Sequence, residues 1–322
     1  MQAAYHHALV ALRRATSVVV CAHVRPDGDA MGSVLALTLA LRENGVAAIP
    51  TLAHGSRIPS TYSFLPGFSL FVPVHDLEAP QVFVALDSPN LDRLGDAGKL
   101  AKAAETVVVI DHHPDTLAFG DVLVHDSAAA ATGQIVWDFV KEFDNPPSGD
   151  VAQCCYVGLI TDTGRFCYDN TTADTFRAAG EMVAAGASPS EIAVAVYQSR
   201  SAASLAIENR AMSRLTLANG GRVAYAWVTD ADFEEIGALP EEAESLPDAV
   251  RVVAGIDVAI LLRQAGGEVR GNLRSKAGFD VSAVARHFGG GGHRAASGLT
   301  FSGTIEQLLP QLLALMPGGE SA

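Results

Sequence analysis

Uninterrupted apolar runs, rich in β-branched residues, mark the first half of the chain. Three of them, at 17–22, 81–86 and 106–110, show no alternation of polar and apolar positions. Such runs are typical of parallel strands that are buried on both faces of a sheet. The segment 91–105 is long enough for a crossover helix between two of them, and 46–52 predicts a fourth strand. We therefore expect an open α/β sheet in this half of the chain.

Helical periodicity, capping residues and glycine stops predict the elements around this sheet. The predicted helices are 1–14, 34–44, 128–143, 151–160, 171–186, 189–199 and 281–288. Later strands are predicted at 222–228, 256–263 and 268–274, and the last two form a hairpin around Gly266-Gly267. The late part of the chain therefore predicts a mixed sheet.

The length of the chain, 322 residues, exceeds what one hydrophobic core usually organises, so two domains are expected. We predict a parallel-sheet α/β domain at 1–197 and a polar, helical linker at 198–213. A smaller, mixed-sheet α+β domain is predicted at 214–322.

Charge and cysteine usage limit the partners and the compartment. The net charge of −14 weighs against binding of long nucleic acid, including long duplexes, because basic side chains supply most non-specific affinity. No apolar run reaches the length of a membrane span, and the N-terminus lacks a secretory pattern, so we expect a cytoplasmic protein without a membrane partner. The four cysteines lack Cys-x-x-Cys spacing and lie in apolar surroundings, which predicts buried free thiols.

The stretch 23–33, His-Val-Arg-Pro-Asp-Gly-Asp-Ala-Met-Gly-Ser, directly follows the first predicted strand. In open α/β sheets, ligands bind at this carboxyl end of the strands. The side chains of His23, Asp27 and Asp29 could converge there on a divalent cation. Taken alone, the stretch fits equally well a polar turn in which Asp29 caps the following helix.

Two further predicted strands also end in acidic residues, at Asp87 and Asp111. A single Asp at a strand end is ordinary. The carboxyl ends of parallel strands meet at one edge of a sheet, however, so His23, Asp87 and Asp111 are expected to face the same edge. This coincidence favours a shared site.

The motifs in these turns resemble those of a known family. In order along the chain they are His23-x-x-x-Asp27-x-Asp29, Asp87-Ser88, Asp111-His112-His113-Pro114, Thr161-Asp162-Thr163-Gly164 and Gly289-Gly290-Gly291-Gly292-His293. The order is similar to that of the DHH phosphoesterase superfamily, including the glycine-rich signature of its associated C-terminal substrate domain. The length and the paired domains most resemble the NrnA-type subgroup. Proteins of that type degrade very short oligoribonucleotides and dephosphorylate 3′-phosphoadenosine 5′-phosphate.

The resemblance implies a metal centre with the ligands His23, Asp27, Asp29, Asp87, His112 and Asp162. Two imidazoles and four carboxylates suffice for two adjacent divalent cations, with Asp87 as the shared ligand. The mixture of nitrogen and oxygen ligands suits Mn²⁺ and tolerates Mg²⁺ or Co²⁺. Such a pair of cations would generate the attacking hydroxide and stabilise the charge of an in-line displacement at phosphorus.

The other two residues of the Asp-His-His motif receive different roles. We expect Asp111 to accept a hydrogen bond that fixes His112 or its loop. From its family counterpart, His113 is expected to face the scissile phosphate and to donate a hydrogen bond or a proton to the leaving oxygen. The alternative is a structural histidine with satisfied hydrogen bonds. Five histidines outside these motifs are expected to be ordinary: His6, His7, His54, His75 and His125.

Substrate-binding residues are expected in the C-terminal domain. Consecutive glycines let a backbone approach a ligand closely and present N–H groups to anionic oxygens. A flexible loop is the usual alternative meaning of such a run. In similar proteins the matching positions hold the nucleotide across the cleft between the domains. On this resemblance we assign nucleotide binding to Arg274, Ser275, Gly290, Gly291, Gly292, His293 and Arg294.

The sequence therefore predicts a two-domain phosphoesterase for very short oligoribonucleotides, for 3′-phosphoadenosine 5′-phosphate, or for both. Cyclic or linear dinucleotides are the alternative substrates. A binding module without activity is disfavoured because all six ligand positions are filled. The C-terminal glycine signature disfavours a pyrophosphatase, and the short, acidic chain disfavours a RecJ-like nuclease. The oligomeric state stays open, and a homodimer is compatible with the sequence.

Overall fold

The computed structural model describes residues 2–53, 60–243, 245–276 and 278–319. The chain divides into two compact units, Met1–Ser199 and Arg200–Ala322. The first unit contains the helices α1 (Gln2–Arg14), α2 (Gly28–Glu43), α3 (Gly98–Ala103), α4 (Thr132–Val140), α5 (Gly149–Asp162), α6 (Ala173–Ala184) and α7 (Pro189–Tyr197). Its strands are β1 (Val18–Cys21), β2 (Ala48–Thr51), β3 (Val82–Leu86), β4 (Thr106–Asp111) and β5 (Val122–His125).

The second unit begins with a helix and then builds a sheet. Its helices are α8 (Ala202–Met212), α9 (Asp230–Ile236), α10 (Leu246–Arg251), α11 (Val281–His287) and α12 (Ile305–Ala314). Its strands are β6 (Thr216–Ala218), β7 (Val223–Thr229), β8 (Val258–Ala265), β9 (Glu268–Ser275), β10 (Gly291–His293) and β11 (Ala296–Ser302).

The first unit is built on a parallel sheet with the strand order β2-β1-β3-β4-β5. Val18 and Val20 of β1 belong to an apolar cluster that includes residues of α2 and α5. Val19 and Cys21, which alternate with them, belong to a second apolar cluster. Because successive side chains of a strand point to opposite faces, the sheet is buried on both sides. The predicted α/β sheet is confirmed.

Two glycines let α2 lie close against α5. A Cβ atom at Gly32 would lie 2.4 Å from the carbonyl oxygen of Cys154. A Cβ atom at Gly158 would lie 2.5 Å from Oδ1 of Asp29. The two helix backbones approach so closely that no larger residue fits at either position. Together they enclose the carboxylate of Asp29.

Two parts of this sheet differ from the sequence prediction. Strand β5 was not predicted, because it is a four-residue strand at the edge of the sheet and most of its side chains are only half-buried. Between β3 and β4, the expected crossover helix is replaced by a 3₁₀ segment, Leu91–Ala97, and the short α3. The break lies at Gly95, whose φ of 51° is left-handed and cannot continue a right-handed helix.

The second unit contains a mixed sheet with the order β10-β11-β9-β8-β7-β6. Strands β7 and β8 run parallel, and the other neighbouring pairs are antiparallel. The predicted hairpin between β8 and β9 turns at Gly266 and Gly267, whose φ values are 56° and 86°. Two left-handed residues are what a type I′ hairpin turn requires. The predicted mixed-sheet fold of this part of the chain is confirmed.

Most of the segment 198–213, predicted as a linker, forms α8. Ile207 and Ala211 of this helix are buried in an apolar cluster of the second unit, together with Val228 and Leu246. The buried stripe of α8 is narrow, and most of its other residues are exposed or half-buried. This explains why the segment looks like a polar linker in the sequence.

The described helices are all too short or too polar to cross a lipid bilayer. The cysteines are free thiols, as predicted, and three of them are buried. Cys167 is exposed, so the prediction of burial was wrong there. It lies in the loop that follows α5, where the chain leaves the core.

Asp232 joins three elements of the second unit. Its buried carboxylate accepts hydrogen bonds from Arg214 of the turn after α8, at 2.6 and 2.8 Å, and from the Thr229 N–H at 2.8 Å. Arg210 of α8 forms an ion pair with the same carboxylate. Burial alone would raise the pKa of Asp232, but the hydrogen bonds from Arg214 and Thr229 outweigh it and hold the pKa below its usual range.

We expect this carboxylate to make the second unit sensitive to acid. A group whose pKa is lowered by folding stabilises the fold above its unfolded pKa, about 3.9 for Asp. That contribution is lost as the pH falls through the folded pKa. Asp232→Asn should lower the free energy of unfolding at neutral pH by about 1.5–3 kcal/mol, the value of a hydrogen bond to a charged group.

Urea unfolding of the variant and the parent protein, at neutral and acidic pH, measures this effect. The difference between the two proteins should shrink in acid. Glu234→Gln, an exposed position on the same helix, is the matched control. An undiminished difference in acid would show that Asp232 does not act through its charge.

Candidate metal centre

Three adjacent strands bring polar residues to one edge of the parallel sheet. His23 follows β1, Asp87 follows β3, and Asp111 is the last residue of β4. Because β3 lies between β1 and β4, the carboxyl ends of these strands are side by side. Asp87 has a φ of 52°, a left-handed conformation that is uncommon outside glycine and that is often found at functional sites.

Asp27, and not Asp29, caps α2. Its Oδ1 accepts hydrogen bonds from the N–H groups of Asp29 and Ala30 at 3.1 and 3.0 Å. Its Oδ2 lies 3.9 Å from Nε2 of His23. The carboxylate of Asp27 thus begins the helix with one oxygen and faces the imidazole with the other. The alternative in which Asp29 caps the helix is wrong.

Asp87 lies between two sets of potential ligand atoms. Its Oδ2 is 3.3 Å from Nε2 of His23, and its Oδ1 is 3.7 Å from Nε2 of His112. The first group consists of His23, Asp27 and Asp87, and the second group consists of Asp29, Asp87 and His112. Within each group, ligand atoms from all members lie within 4.8 Å of one another. Asp87 is therefore shared, with one oxygen toward each imidazole.

Asp162 reaches the second group from the end of α5. Its Oδ2 lies 3.5 Å from Nε2 of His112. Its side chain is 26% exposed, whereas the side chain of Asp87 is 2% exposed. Burial, followed by the charge of Asp29, raises the pKa of Asp162 well above its usual range. The structure thus brings all six predicted ligands to one edge of the sheet.

The two imidazoles of these groups are held in the same orientation relative to the carboxylates. The Nδ1–H of His23 donates to the carbonyl oxygen of Val24 at 2.9 Å. The Nδ1–H of His112 donates to the carbonyl oxygen of Ala129 at 3.3 Å. This leaves Nε2 of each neutral ring as the lone-pair atom that faces the carboxylates. Histidines that ligate metals are typically held in this way through their second nitrogen.

The electrostatics of the cluster favour a bound positive charge. Burial, and then the charge of Asp87, raises the pKa of Asp29 to about 7. Burial would also raise the pKa of Asp87, but the hydrogen bond and charge of His23 outweigh it and hold that pKa below its usual range. Carboxylates this close must take up protons or cations. A donor set of oxygens and imidazoles without thiolates suits a hard or borderline divalent cation.

Asp111 fixes His113 and the backbone beside it. Its buried Oδ1 accepts a hydrogen bond from Nδ1 of His113 at 2.8 Å and another from the His112 N–H at 2.9 Å. Burial lowers the pKa of His113, but Asp111 and Asp87 outweigh it and raise the value to about 9. Nδ1 of His113 lies 3.5 Å from Oδ1 of Asp87. Asp111 therefore orients the ring of His113 and also accepts the backbone N–H of His112.

Several residues of the site were missed by the sequence analysis. The N–H groups of Thr132 and Gly133 donate to Asp29 at 2.7 and 2.8 Å, and the hydroxyl of Thr132 donates to Asp87 at 3.0 Å. The sequence predicted that α4 begins at residue 128, so Thr132 and Gly133 were not expected at its N-terminus. The Thr-Gly pair after a run of alanines was the available signal for the true start.

The histidines outside the motifs were expected to be ordinary. Nε2 of His125 lies 2.8 Å from the carbonyl oxygen of His113, so this side chain supports the loop of the Asp-His-His motif. His54 lies outside the described residues. The contact of His125 carries no local sequence signal, because the two histidines meet only through the pairing of β4 with β5.

The predicted substrate-binding residues lie in the second unit. Arg274 on β9 and His293 on β10 both pair with Ala296 of β11, which lies between these strands. The two basic residues therefore share one cross-strand row. The guanidinium of Arg274 also lies 3.8 Å from the carboxylate of Asp248. Ser275, the last residue of β9, has a buried hydroxyl for which the described residues offer no hydrogen-bond partner.

The glycine run forms the start of an edge strand as well as a turn. A Cβ atom at Gly290 would lie 2.1 Å from the carbonyl oxygen of Gly298, and one at Gly292 would lie 2.7 Å from that of Ala296. These two glycines are therefore required by the neighbouring strand, whereas Gly291 meets nothing within 4 Å. Arg294, two residues after the run, contacts another loop, since its guanidinium donates to the carbonyl oxygen of Gly278 at 2.8 Å.

Comparison with known proteins agrees with this architecture. Residues 17–159 match the family model described as the DHH family, N-terminal domain, and residues 220–317 match the DHHA1 domain. The chain is 31% identical to the bifunctional oligoribonuclease and PAP phosphatase NrnA of Thermus thermophilus, over 89% of this chain and 84% of that protein. It is 29% identical to the protein of the same name from Bacillus subtilis, over 88% of each.

Among solved structures, an exopolyphosphatase-related protein from Bacteroides fragilis has a similar fold. The TM-score is 0.89 at 23% sequence identity, over 98% of this chain and 95% of that chain. This likeness shows the fold alone.

The shared position of Asp87 makes a direct test of the metal centre. Asp87→Asn removes the charge that both groups share, so the affinity for Mn²⁺ should fall at both positions. We expect a loss of more than about 100-fold, the upper end of what changes around metal ligands cost. Calorimetric titration of the metal-free protein with Mn²⁺ gives the stoichiometry and the affinities.

Asp174→Asn is the control, because its side chain is 73% exposed on α6 and lies outside the cluster. If Asp87→Asn still binds two Mn²⁺ ions with the affinity of the parent protein, Asp87 is not a shared ligand.

Proposed function

Because this chain belongs to the DHH family, with a DHH N-terminal domain followed by a DHHA1 domain, we propose that it is a metal-dependent phosphoesterase. Its proposed reactions are hydrolysis of very short oligoribonucleotides to mononucleotides and removal of the 3′-phosphate of 3′-phosphoadenosine 5′-phosphate. The relatives from Thermus thermophilus and Bacillus subtilis are named for both activities, oligoribonuclease and PAP phosphatase.

The observation that carries this proposal is the position of Asp87 between the first and second groups. One oxygen lies near His23 and the other lies near His112, which suits a carboxylate shared by two cations. Two divalent cations held there would supply an activated water and neutralise charge on the phosphoryl oxygens. We propose Mn²⁺ as the preferred ion, with Mg²⁺ or Co²⁺ as substitutes, because the ligands are imidazoles and carboxylates.

The chain itself would supply the group that assists the leaving oxygen. We propose His113 for this role, as a donor of a hydrogen bond or a proton. Asp111 supports it as a positioning residue, since its carboxylate binds Nδ1 of His113 at 2.8 Å and fixes the orientation of the ring. The carbonyl oxygen of His113 is in turn contacted by His125 at 2.8 Å.

The second unit would bind the nucleotide. Arg274 and His293 are proposed to contact its anionic groups, which their common cross-strand row supports. Ser275 and the glycines Gly290, Gly291 and Gly292 would complete the binding surface, and Arg294 would hold the adjoining loop through Gly278. The net charge of −14 limits the substrate to short nucleotides and argues against long duplexes. We also propose a cytoplasmic location, since free thiols are typical of reducing compartments.

A substrate panel tests the proposed activity. With Mn²⁺, the purified protein should convert a diribonucleotide to mononucleotides and release phosphate from 3′-phosphoadenosine 5′-phosphate. Activity should decline as the oligoribonucleotide lengthens, because the acidic protein offers few contacts to a long backbone. Chromatography of the products measures both. If the Mn²⁺-loaded protein hydrolyses neither substrate, the proposal is refuted. Equal rates on short and long strands would refute the length limit.

Arg274→Ala separates binding of the nucleotide from cleavage. For a dinucleotide we expect kcat/KM to fall by an amount equivalent to about 1–3 kcal/mol, the cost of a lost charge-assisted contact. A small aryl phosphate ester should be hydrolysed almost as before, since remote binding energy serves only a substrate that carries the remote group.

Arg270→Ala is the matched control, because Arg270 lies on the same strand and is exposed. Steady-state kinetics of both variants on both substrates provide the comparison. If Arg274→Ala loses activity equally on the two substrates while its metal content is unchanged, Arg274 acts at the reaction centre instead.

A further inference from the structure

A short segment before and within the first turn of α4 contacts every member of the second group. This α4 start segment comprises residues 129–133. Its Ala129 carbonyl oxygen accepts the hydrogen bond from Nδ1 of His112 at 3.3 Å. Its Thr132 contacts both Asp29 and Asp87, at 2.7 and 3.0 Å. The side chains of the second group are thus held by neighbouring residues of one segment.

Asp29 and α4 fix each other. The residue before α4, Ala131, has no side-chain oxygen with which to cap the helix. The carboxylate of Asp29 takes this place from α2, accepting the N–H of Thr132 at Oδ2 and the N–H of Gly133 at Oδ1. A carboxylate at a helix N-terminus is stabilised by the N–H groups that lack partners there. Oδ2 is also the oxygen that lies 3.9 Å from Nε2 of His112.

Asp162 is connected to the same segment by Asn170. The side-chain amide of Asn170 donates to the carbonyl oxygen of Ala130 at 3.0 Å and to that of Asp162 at 3.2 Å. The end of α5, which carries Asp162, and the beginning of α4 are therefore tied to one side chain.

The first group depends on other contacts. Nδ1 of His23 binds the carbonyl oxygen of Val24, and Oδ1 of Asp27 binds the first N–H groups of α2. Asp87 is the member that connects the groups, and its two oxygens have different surroundings. Oδ1 accepts the hydroxyl of Thr132, whereas Oδ2 lies 3.3 Å from Nε2 of His23.

We propose that Thr132 is a positioning residue for the cation of the second group. This inference rests on the metal centre of the proposed function. The hydroxyl of Thr132 occupies one lone pair of Asp87 Oδ1 and fixes the rotation of the carboxylate, while the neighbouring N–H groups fix Asp29. Without the hydroxyl, Asp87 can rotate away from His112, and the second group loses its arrangement before the first group does.

The test compares two pairs of side chains that differ at the hydroxyl position, Thr with Val and Ser with Ala. Thr132→Val keeps the shape of the side chain and the backbone N–H to Asp29, but it removes the donor to Asp87. Thr132→Ala removes the same donor without an added methyl group, and Thr132→Ser restores it. Thr38→Val is the matched control, because Thr38 is also fully buried, lies on the helix that carries Asp29, and donates to the carbonyl oxygen of Val34 in that same helix.

Mn²⁺ binding by the metal-free, full-length proteins is measured by titration calorimetry, and thermal unfolding shows that each variant is folded. We expect Thr132→Val and Thr132→Ala to weaken one of two Mn²⁺ positions by about 10–100-fold, the usual cost of losing a residue that orients a metal ligand. In these two variants, the other Mn²⁺ position should keep the affinity of the parent protein. Thr132→Ser and Thr38→Val should bind Mn²⁺ at both positions as the parent protein does.

Three results would overturn the inference: unchanged Mn²⁺ binding by the Val and Ala variants, equal weakening of both positions, or a Ser variant as weak as the Val variant. A parent protein that binds fewer than two Mn²⁺ ions would also overturn it, together with the metal centre. If the parent protein binds two ions and the variants behave as expected, but no nucleotide is hydrolysed, the proposed function fails and the role of Thr132 stands.

Discussion

Two neighbouring buried carboxylates, Asp29 and Asp87, impose the constraint on which the first unit depends. An ionised carboxylate inside a protein is stable only when donors or cations surround it. Asp29 receives N–H groups from α4 and the hydroxyl of Ser33, and Asp87 receives the hydroxyl of Thr132 and faces two imidazoles. The contact of α2, α4 and α5 is thus arranged around charge as well as around apolar side chains.

The glycines of these helices follow from the same constraint. At Gly158 a side chain would strike Asp29, and at Gly32 it would strike the backbone of α5. Larger residues at these positions would separate α2 from α5 and open the surroundings of Asp29 to water. Asp29 would then keep its charge more easily, but it would lose the fixed distance to His112. Close helix packing therefore serves the geometry of the candidate site.

The sequence was sufficient for the sheet and for the convergence of the ligands, because both follow from local patterns. Apolar runs identified the parallel strands, and parallel strands end at one edge, so His23, Asp87 and Asp111 had to lie near each other. The sequence was insufficient where two residues of the same type could each perform one structural role. Asp27 and Asp29 are both placed to cap α2, and only the backbone conformation of the turn decides between them. The role of Thr132 could not be predicted, because its partners Asp29 and Asp87 are distant in the chain. In the second unit, the glycine run could not reveal that Gly290 and Gly292 are also needed by the adjacent strand.

The capping of α4 by Asp29 also provides a spectroscopic reporter of the site. The amide protons of Thr132 and Gly133 point at the two oxygens of one carboxylate. Protonation of that carboxylate, or its coordination to a cation, withdraws electron density from these oxygens and weakens both hydrogen bonds. The backbone amide resonances of Thr132 and Gly133 therefore register the charge state of Asp29.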